Sequence, residues 1–219
     1  AGGAQAASQI GQLVLLDADF SAMPSIVAEG RRVINNIQRA ATLFLVKNIF
    51  SLFLSFIAVL ADWPYPFAPI NLTLISALTI GIPSFFLAME PNFERVQGRF
   101  IVSILRQAFP GGLTNIIMVV IAQIVLGISA VPMAQVQTVC TAILAVTGLL
   151  VLFSASQPMG KFRLFIWVMM AVSLIFSFLF LGSIFQLQIV ALSTLPILGI
   201  LLAATPMVYW IMGRLFDLG

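Results

Sequence analysis

Residues 40–60, AATLFLVKNIFSLFLSFIAVL, carry a single charged side chain, Lys47, in 21 positions. At 1.5 Å per residue a helix of this stretch is about 31 Å long, close to the ~30 Å hydrocarbon core of a bilayer. Working outward, comparable apolar stretches recur at 67–89, about 113–131, 136–154, 164–181 and 187–212, joined by links at 61–66, 90–112, 132–135, 155–163 and 182–186. The whole chain of 219 residues is 61% hydrophobic and only 8% charged, with a mean hydropathy of +1.14. Soluble domains carry about 25% charged residues, so this chain cannot clothe a globular surface in water. The pattern predicts an all-α membrane protein with six transmembrane helices, and lipid bilayer as the main partner.

The charges set the topology. Of ten Lys and Arg residues, Arg31, Arg32 and Arg39 precede the first span, Arg95, Arg99 and Arg106 separate the second from the third, Lys161 and Arg163 separate the fourth from the fifth, and Arg214 follows the sixth. The opposite links carry only Asp62, beside the interface aromatics Trp63, Tyr65 and Phe67. By the positive-inside rule this predicts a multi-pass protein of the plasma membrane with both ends of the segment in the cytoplasm. No basic run with interleaved aromatics is present, so nucleic acid is not an expected partner. One cysteine, Cys140, and no His exclude an internal disulfide and a Cys/His zinc site. Any metal must be held by oxygen.

The first residues read as a polar head. Residues 4–10 are a short Ala-rich helix candidate, 13–16 an apolar run suited to a buried strand, and Asp17-Ala18-Asp19 a turn. Ser21 is placed to cap a helix that has Pro24 in its first turn and runs through Gln38 into the first span, about 60 Å in all. No signal peptide is visible and the chain does not start with Met, which suggests a piece of something longer.

Polar residues inside spans are expensive and mark the transport path. In the first span Lys47, Ser51 and Ser55 fall at intervals of four on one face, with Asn48 beside them. Lys47 can alternatively snorkel towards the interface, but Asn48 cannot. In the second span Asn71, Thr73, Ser76 and Thr79 precede Gly81-Ile82-Pro83. Pro83 supplies no N–H to the carbonyl four residues back, and Gly81 loosens the same turn, so the pair predicts a helix break with carbonyl oxygens open to a cation. The candidate cation path is therefore Lys47, Asn48, Ser51, Ser76 and Thr79, with the break at Gly81 and Pro83. Asn115, Gln123, Thr138, Thr141, Thr147, Thr194 and Thr205 stand singly and read as interhelical packing. All seven acids lie outside the spans, whereas a dry divalent site normally uses carboxylates.

The order of these features resembles the C-terminal part of a P-type cation-transporting ATPase. Residues 3–20 look like the end of that family's phosphorylation domain, Glu29-Gly30-Arg31-Arg32-Val33-Ile34-Asn35-Asn36-Ile37 like its cytoplasmic stalk (21–39) entering the fifth membrane helix, and Leu78-Thr79-Ile80-Gly81-Ile82-Pro83 like its sixth. Residues 63–67 and 79–86 resemble a bacterial subgroup similar to mycobacterial calcium-uptake pumps. The resemblance implies a remnant of an α/β phosphorylation domain at 1–20 and a six-span domain at 40–219, completed by an N-terminal part of the same chain. It implies an inorganic cation as cargo, with ATP and magnesium acting on that other part and no cofactor or catalytic residue in this segment.

The resemblance also assigns ligands. Asn48 and Thr79 match ligand positions, Ser51 stands in place of a carboxylate and Ser76 in place of an Asn. Ile80 replaces an acid of calcium and sodium-potassium pumps, so their two-site chemistry does not carry over. Lys47 falls where potassium-exchanging proton pumps carry a Lys that acts as a built-in counter-cation. A self-contained six-span secondary transporter or channel, or a nonconducting membrane subunit, remains an alternative on the span count alone.

Overall fold

A computed structural model describes residues 9–10, 14, 20–90, 92–95 and 99–217, the side chain of residue 217 excepted. The short helix and strand expected within 4–16 fall almost wholly outside the described residues. Among the described residues there is no strand. Six helices are long and apolar enough to cross a membrane. They comprise α1 (Met23–Leu60), the composite second span, α4 (Phe100–Ile128), α5 (Met133–Ala155), α6 (Lys161–Phe180) and α7 (Leu195–Asp217). The second span consists of α2 (Pro69–Ser76), a π-helical turn (Ala77–Gly81) and α3 (Ile82–Met89).

Helix α1 is unbroken for 38 residues. Pro24 occupies its first turn, where a missing N–H costs nothing. Ser21 is not the cap: it lies in a 3-10 turn, Phe20–Ala22, and Ala22 at the boundary already has helical angles. The core of the bundle is formed where α4 packs between α1, α5 and α7. Glycines permit that approach. A Cβ on Gly112 would lie 2.6 Å from Ile49 Cγ2, and one on Gly111 would lie 2.5 Å from Val151 Cγ2 and 3.2 Å from Val46 Cγ1. Large apolar side chains that face outward, such as Phe53, Phe56, Phe165, Leu179 and Ile200, are exposed as lipid contact requires.

Two span boundaries differ from the hydropathy reading. The third span begins at Phe100 rather than near 113, and Pro110-Gly111-Gly112 sit inside it. The extra turns are held because Ser103 and Gln107, four apart, meet Gln38 and Thr42, four apart on α1: Gln38 Nε2 donates to Ser103 Oγ at 2.7 Å, and Gln107 Oε1 lies 3.5 Å from Thr42 Oγ1, whose proton goes to Gln38 O at 2.9 Å. The sixth span begins at Leu195 rather than 187. The backbone ahead of it is tied to α5, where Gln188 N–H donates to Thr138 Oγ1 at 2.9 Å and Ala191 N–H to Gln135 Oε1 at 3.1 Å. Those amides are spent on α5 side chains, and a helix starts only after them.

The cation-rich end is fastened by a buried ion pair. Arg163, 7% exposed, donates to Glu90 Oε2 at 2.6 Å and to the carbonyls of Ser156 and Pro158 at 3.2 and 2.7 Å. Asn35 donates to the carbonyls of Asn92 and Glu94 at 3.2 and 3.0 Å, and Asn36 to that of Ala88 at 3.0 Å. These bonds join the first half of α1 to the last turn of α3 and the segment that follows it. At the other end Gln123 Nε2 donates to Pro64 O at 3.1 Å, and Asn71 Nδ2 to Phe185 O at 2.6 Å.

Candidate cation site

The second span leaves α-helical geometry just before Pro83, which has no N–H to donate. Rather than unwinding, the helix widens: Ile82 N–H bonds to Ala77 O, five residues back, across the π turn. The carbonyls of Leu78 and Thr79 then share one donor fewer than an α-helix would give them. Thr79, 2% exposed, is pressed against α5, where Gly148 leaves it room: a Cβ there would lie 2.7 Å from Thr79 Cγ2 and 3.0 Å from its Oγ1.

Beside this turn lies a cavity of about 30 Å³. One water needs about 10–15 Å³ of such space, so there is room for a water or a bare ion. Its polar walls are Lys47 from α1, Ser76 and Thr79 from the second span and Asn115 from α4, with Gly148 of α5 closing it. The remaining walls are apolar and include Val46, Phe50 and Ile80.

The hydroxyl protons in this wall are directed to backbone carbonyls. Ser76 Oγ donates to Leu72 O at 2.6 Å and Thr79 Oγ1 to Ile75 O at 2.7 Å. A hydroxyl that has spent its only proton offers lone pairs alone, which suits a cation or an ammonium. Asn115 is 3% exposed and its Oδ1 has no hydrogen-bond partner among the described residues. Such an orphan costs about 1–3 kcal/mol unless something occupies it. Lys47 makes no hydrogen bond or ion pair among the described residues. No acid lines the cavity, and the described residues contain no group of three His, Cys, Asp or Glu side chains able to hold a metal. The arrangement is one ammonium facing neutral oxygens.

Three expected residues thus come together: Lys47, Ser76 and Thr79. Asn48 is exposed and Ser51 half-buried, and neither lines the cavity. Ser55 donates to Ser51 O at 2.7 Å and lines a separate open pocket with Asp62, Trp63 and Tyr65. Asn71 and Thr73 are structural. Asn71 Oδ1 accepts the N–H of Ala68 at 3.0 Å, and Thr73 Oγ1 donates to Pro69 O at 3.0 Å. Asn115, read from the sequence as packing, is the residue missed. Its spacing held the signal: it follows Gly111 by four and Gly112 by three, which puts it on the α4 face those glycines press onto α1.

This chain is 32% identical over 97% of its length to the Calcium-transporting ATPase CtpE of Mycolicibacterium smegmatis, covering 29% of that protein. It matches the C-terminal membrane part of bacterial P-type cation-transporting ATPases. A similar match, 29% identical over 97% of this chain, is the Probable cation-transporting ATPase exp7 of Streptococcus pneumoniae, of which it covers 28%. The Calcium-transporting ATPase CtpE of Mycobacterium tuberculosis is 40% identical over 51% of the chain and 15% of that protein. The chain therefore spans less than a third of these P-type relatives. No family model matches it. Six membrane-crossing helices in the chain fit the membrane part of such an ATPase, and an ATP-independent carrier is not favoured.

Proposed function

We propose that this chain supplies the transport pathway and stalk of an ATP-driven inorganic-cation pump of the plasma membrane, with both ends of the segment in the cytoplasm. The observation that carries this reading is that nearly the whole chain matches ATPases which extend far beyond it. Residues 1–20 then belong to the end of a phosphorylation domain, and ATP and magnesium act on the part of the relatives' length that this chain does not span. Phosphorylation there moves residues 21–39, the first half of α1. Because α1 is continuous through Lys47, that motion changes how α1 meets the second span and α4 around the cavity. Lys47, Ser76 and Thr79 form the buried face of the path. Asn48 and Ser51 point away from the cavity, and in this reading they meet the remainder of the chain, where carboxylates for a divalent ion are supplied. Calcium, named for the mycobacterial relatives, is the first cargo to test.

The test is ATPase activity of the full-length protein in proteoliposomes, scanned across calcium, magnesium, manganese, potassium, sodium and pH, with vanadate to trap a phosphoenzyme-type intermediate. Stimulation by one of these ions that vanadate abolishes is the expected result. Folded protein that no ion stimulates would sink the pump reading.

A further inference from the structure

We propose that Asn115, on α4, is a ligand of the buried cation site, its amide oxygen serving a hard cationic group in the cavity beside Lys47. The proposal rests on reading that cavity as part of the cation path. Three observations point to it independently of the span count. Asn115 lines the cavity and is 3% exposed, yet its Oδ1 is buried without a partner among the described residues. Within an apolar bundle an amide with no hydrogen bond is tolerated where a ligand completes it. The two other oxygens in the wall, Ser76 Oγ and Thr79 Oγ1, have given their protons to backbone carbonyls, so the wall is a set of acceptors awaiting a positive group. Lys47, in the apolar half of α1, lines the same cavity without a partner among the described residues.

A positive group of this kind has two sources, a metal ion or the ammonium of Lys47. Both are bound by the same chemistry, a carbonyl-type oxygen and two hydroxyl lone pairs. The position of Asn115 is built into the fold. Gly111 and Gly112, on the same face, draw α4 against Val46 and Ile49, the immediate neighbours of Lys47 and Asn48 on α1. Asn115 thereby lies at the α1–α4 contact and shares a cavity lining with Lys47.

The experiment compares thermal unfolding midpoints of the full-length protein in detergent for wild type, N115L, N115D, K47M and K47M/N115L, each titrated with calcium, sodium and potassium chlorides. If a metal ion is the partner, N115L weakens the stabilising ion's half-effect concentration by about tenfold or more, as loss of one ligand implies, while N115D, which keeps an oxygen in place, retains the response. If Lys47 is the partner, no ion response is needed: N115L and K47M shift the midpoint non-additively, the double variant losing less than the sum. Equal losses from N115L and N115D would show a packing role and overturn the proposal. So would additive shifts combined with an unchanged or absent ion response. Because the Lys47 arm needs neither ATP nor ion stimulation, failure of the pump reading is seen separately in the ATPase scan.

Discussion

Gly148 of α5 sits so close to Thr79 in the π turn that a methyl group in place of its hydrogen would lie 2.9 Å from Thr79 Cβ. Cβ is fixed to the backbone, so no rotamer change relieves the contact. Exchanging Gly for Ala in a helix gains about 1 kcal/mol of propensity, whereas overpacking costs about 1–3 kcal/mol. Gly148→Ala is expected to lower the unfolding midpoint or push Thr79 off the cavity. In the latter case the half-activating ion concentration rises while protein yield holds, and ion-stimulated ATPase activity of the full-length protein distinguishes the two. An unchanged midpoint and ion response would show that the two helices separate freely.

Lys47→Ala removes the only charge in the cavity wall among the described residues. If the ammonium limits the charge carried per cycle, the variant is expected to transport more net charge and to shift ion preference about tenfold, ~1.4 kcal/mol of selectivity. Current measurements on proteoliposomes adsorbed to a supported membrane, paired with ion-stimulated ATPase assays, read both quantities. Identical selectivity and charge per ATP would assign Lys47 to snorkelling.

Much of this architecture was legible in the chain, and the failures have physical causes. Residues 40–60 announce a span because one charge in 21 positions is compatible with lipid. The start of α4 was not legible, since Pro110-Gly111-Gly112 is punctuation in water but a packing device between helices. Hydropathy also counts residues 187–194 into the sixth span, although the amides of Gln188 and Ala191 are held by Thr138 and Gln135 and the helix starts only at Leu195. For the site, periodicity found Lys47, Ser76 and Thr79 but could not rank which polar neighbours point inward. Asn48 follows Lys47 directly, a turn of about 100° around the helix, and ends up exposed. Asn115 was passed over because a lone Asn has no pattern until the glycines beside it are seen to pack.

The Arg163–Glu90 pair is a stability element rather than part of the cavity. Arg163 also serves two carbonyls, so Glu90→Gln strands a buried guanidinium without its counter-charge. The expected loss is about 1.5–3 kcal/mol, the range for hydrogen bonds to charged groups, seen as a lower midpoint with ion affinity unchanged. A change in ion affinity at constant midpoint would contradict this division of labour.

Asn71 offers the complementary control. It bonds to Ala68 N–H and to Phe185 O and is fully buried. Asn71→Ala is expected to cost about 1–3 kcal/mol of stability by stranding Phe185 O and the first turn of α2. Asn48→Ala, at an exposed position, should leave the midpoint unchanged and alter only ion-dependent turnover. Thermal unfolding and ATPase assays on the same two preparations check the contrast.

The glycine contacts give α1 a fulcrum. Gly111 and Gly112 meet it at Val46 and Ile49, so the arm towards Met23 is about 35 Å long and the arm towards Leu60 about 20 Å at 1.5 Å per residue. A rigid rod turning about that contact barely displaces Lys47, which lies at the pivot, while its far end swings by more than half the distance travelled at Met23. Leverage of this kind would turn a movement of the first half of α1 into a change of tilt at the cavity and a larger displacement at the rim formed by Asp62, Trp63 and Tyr65.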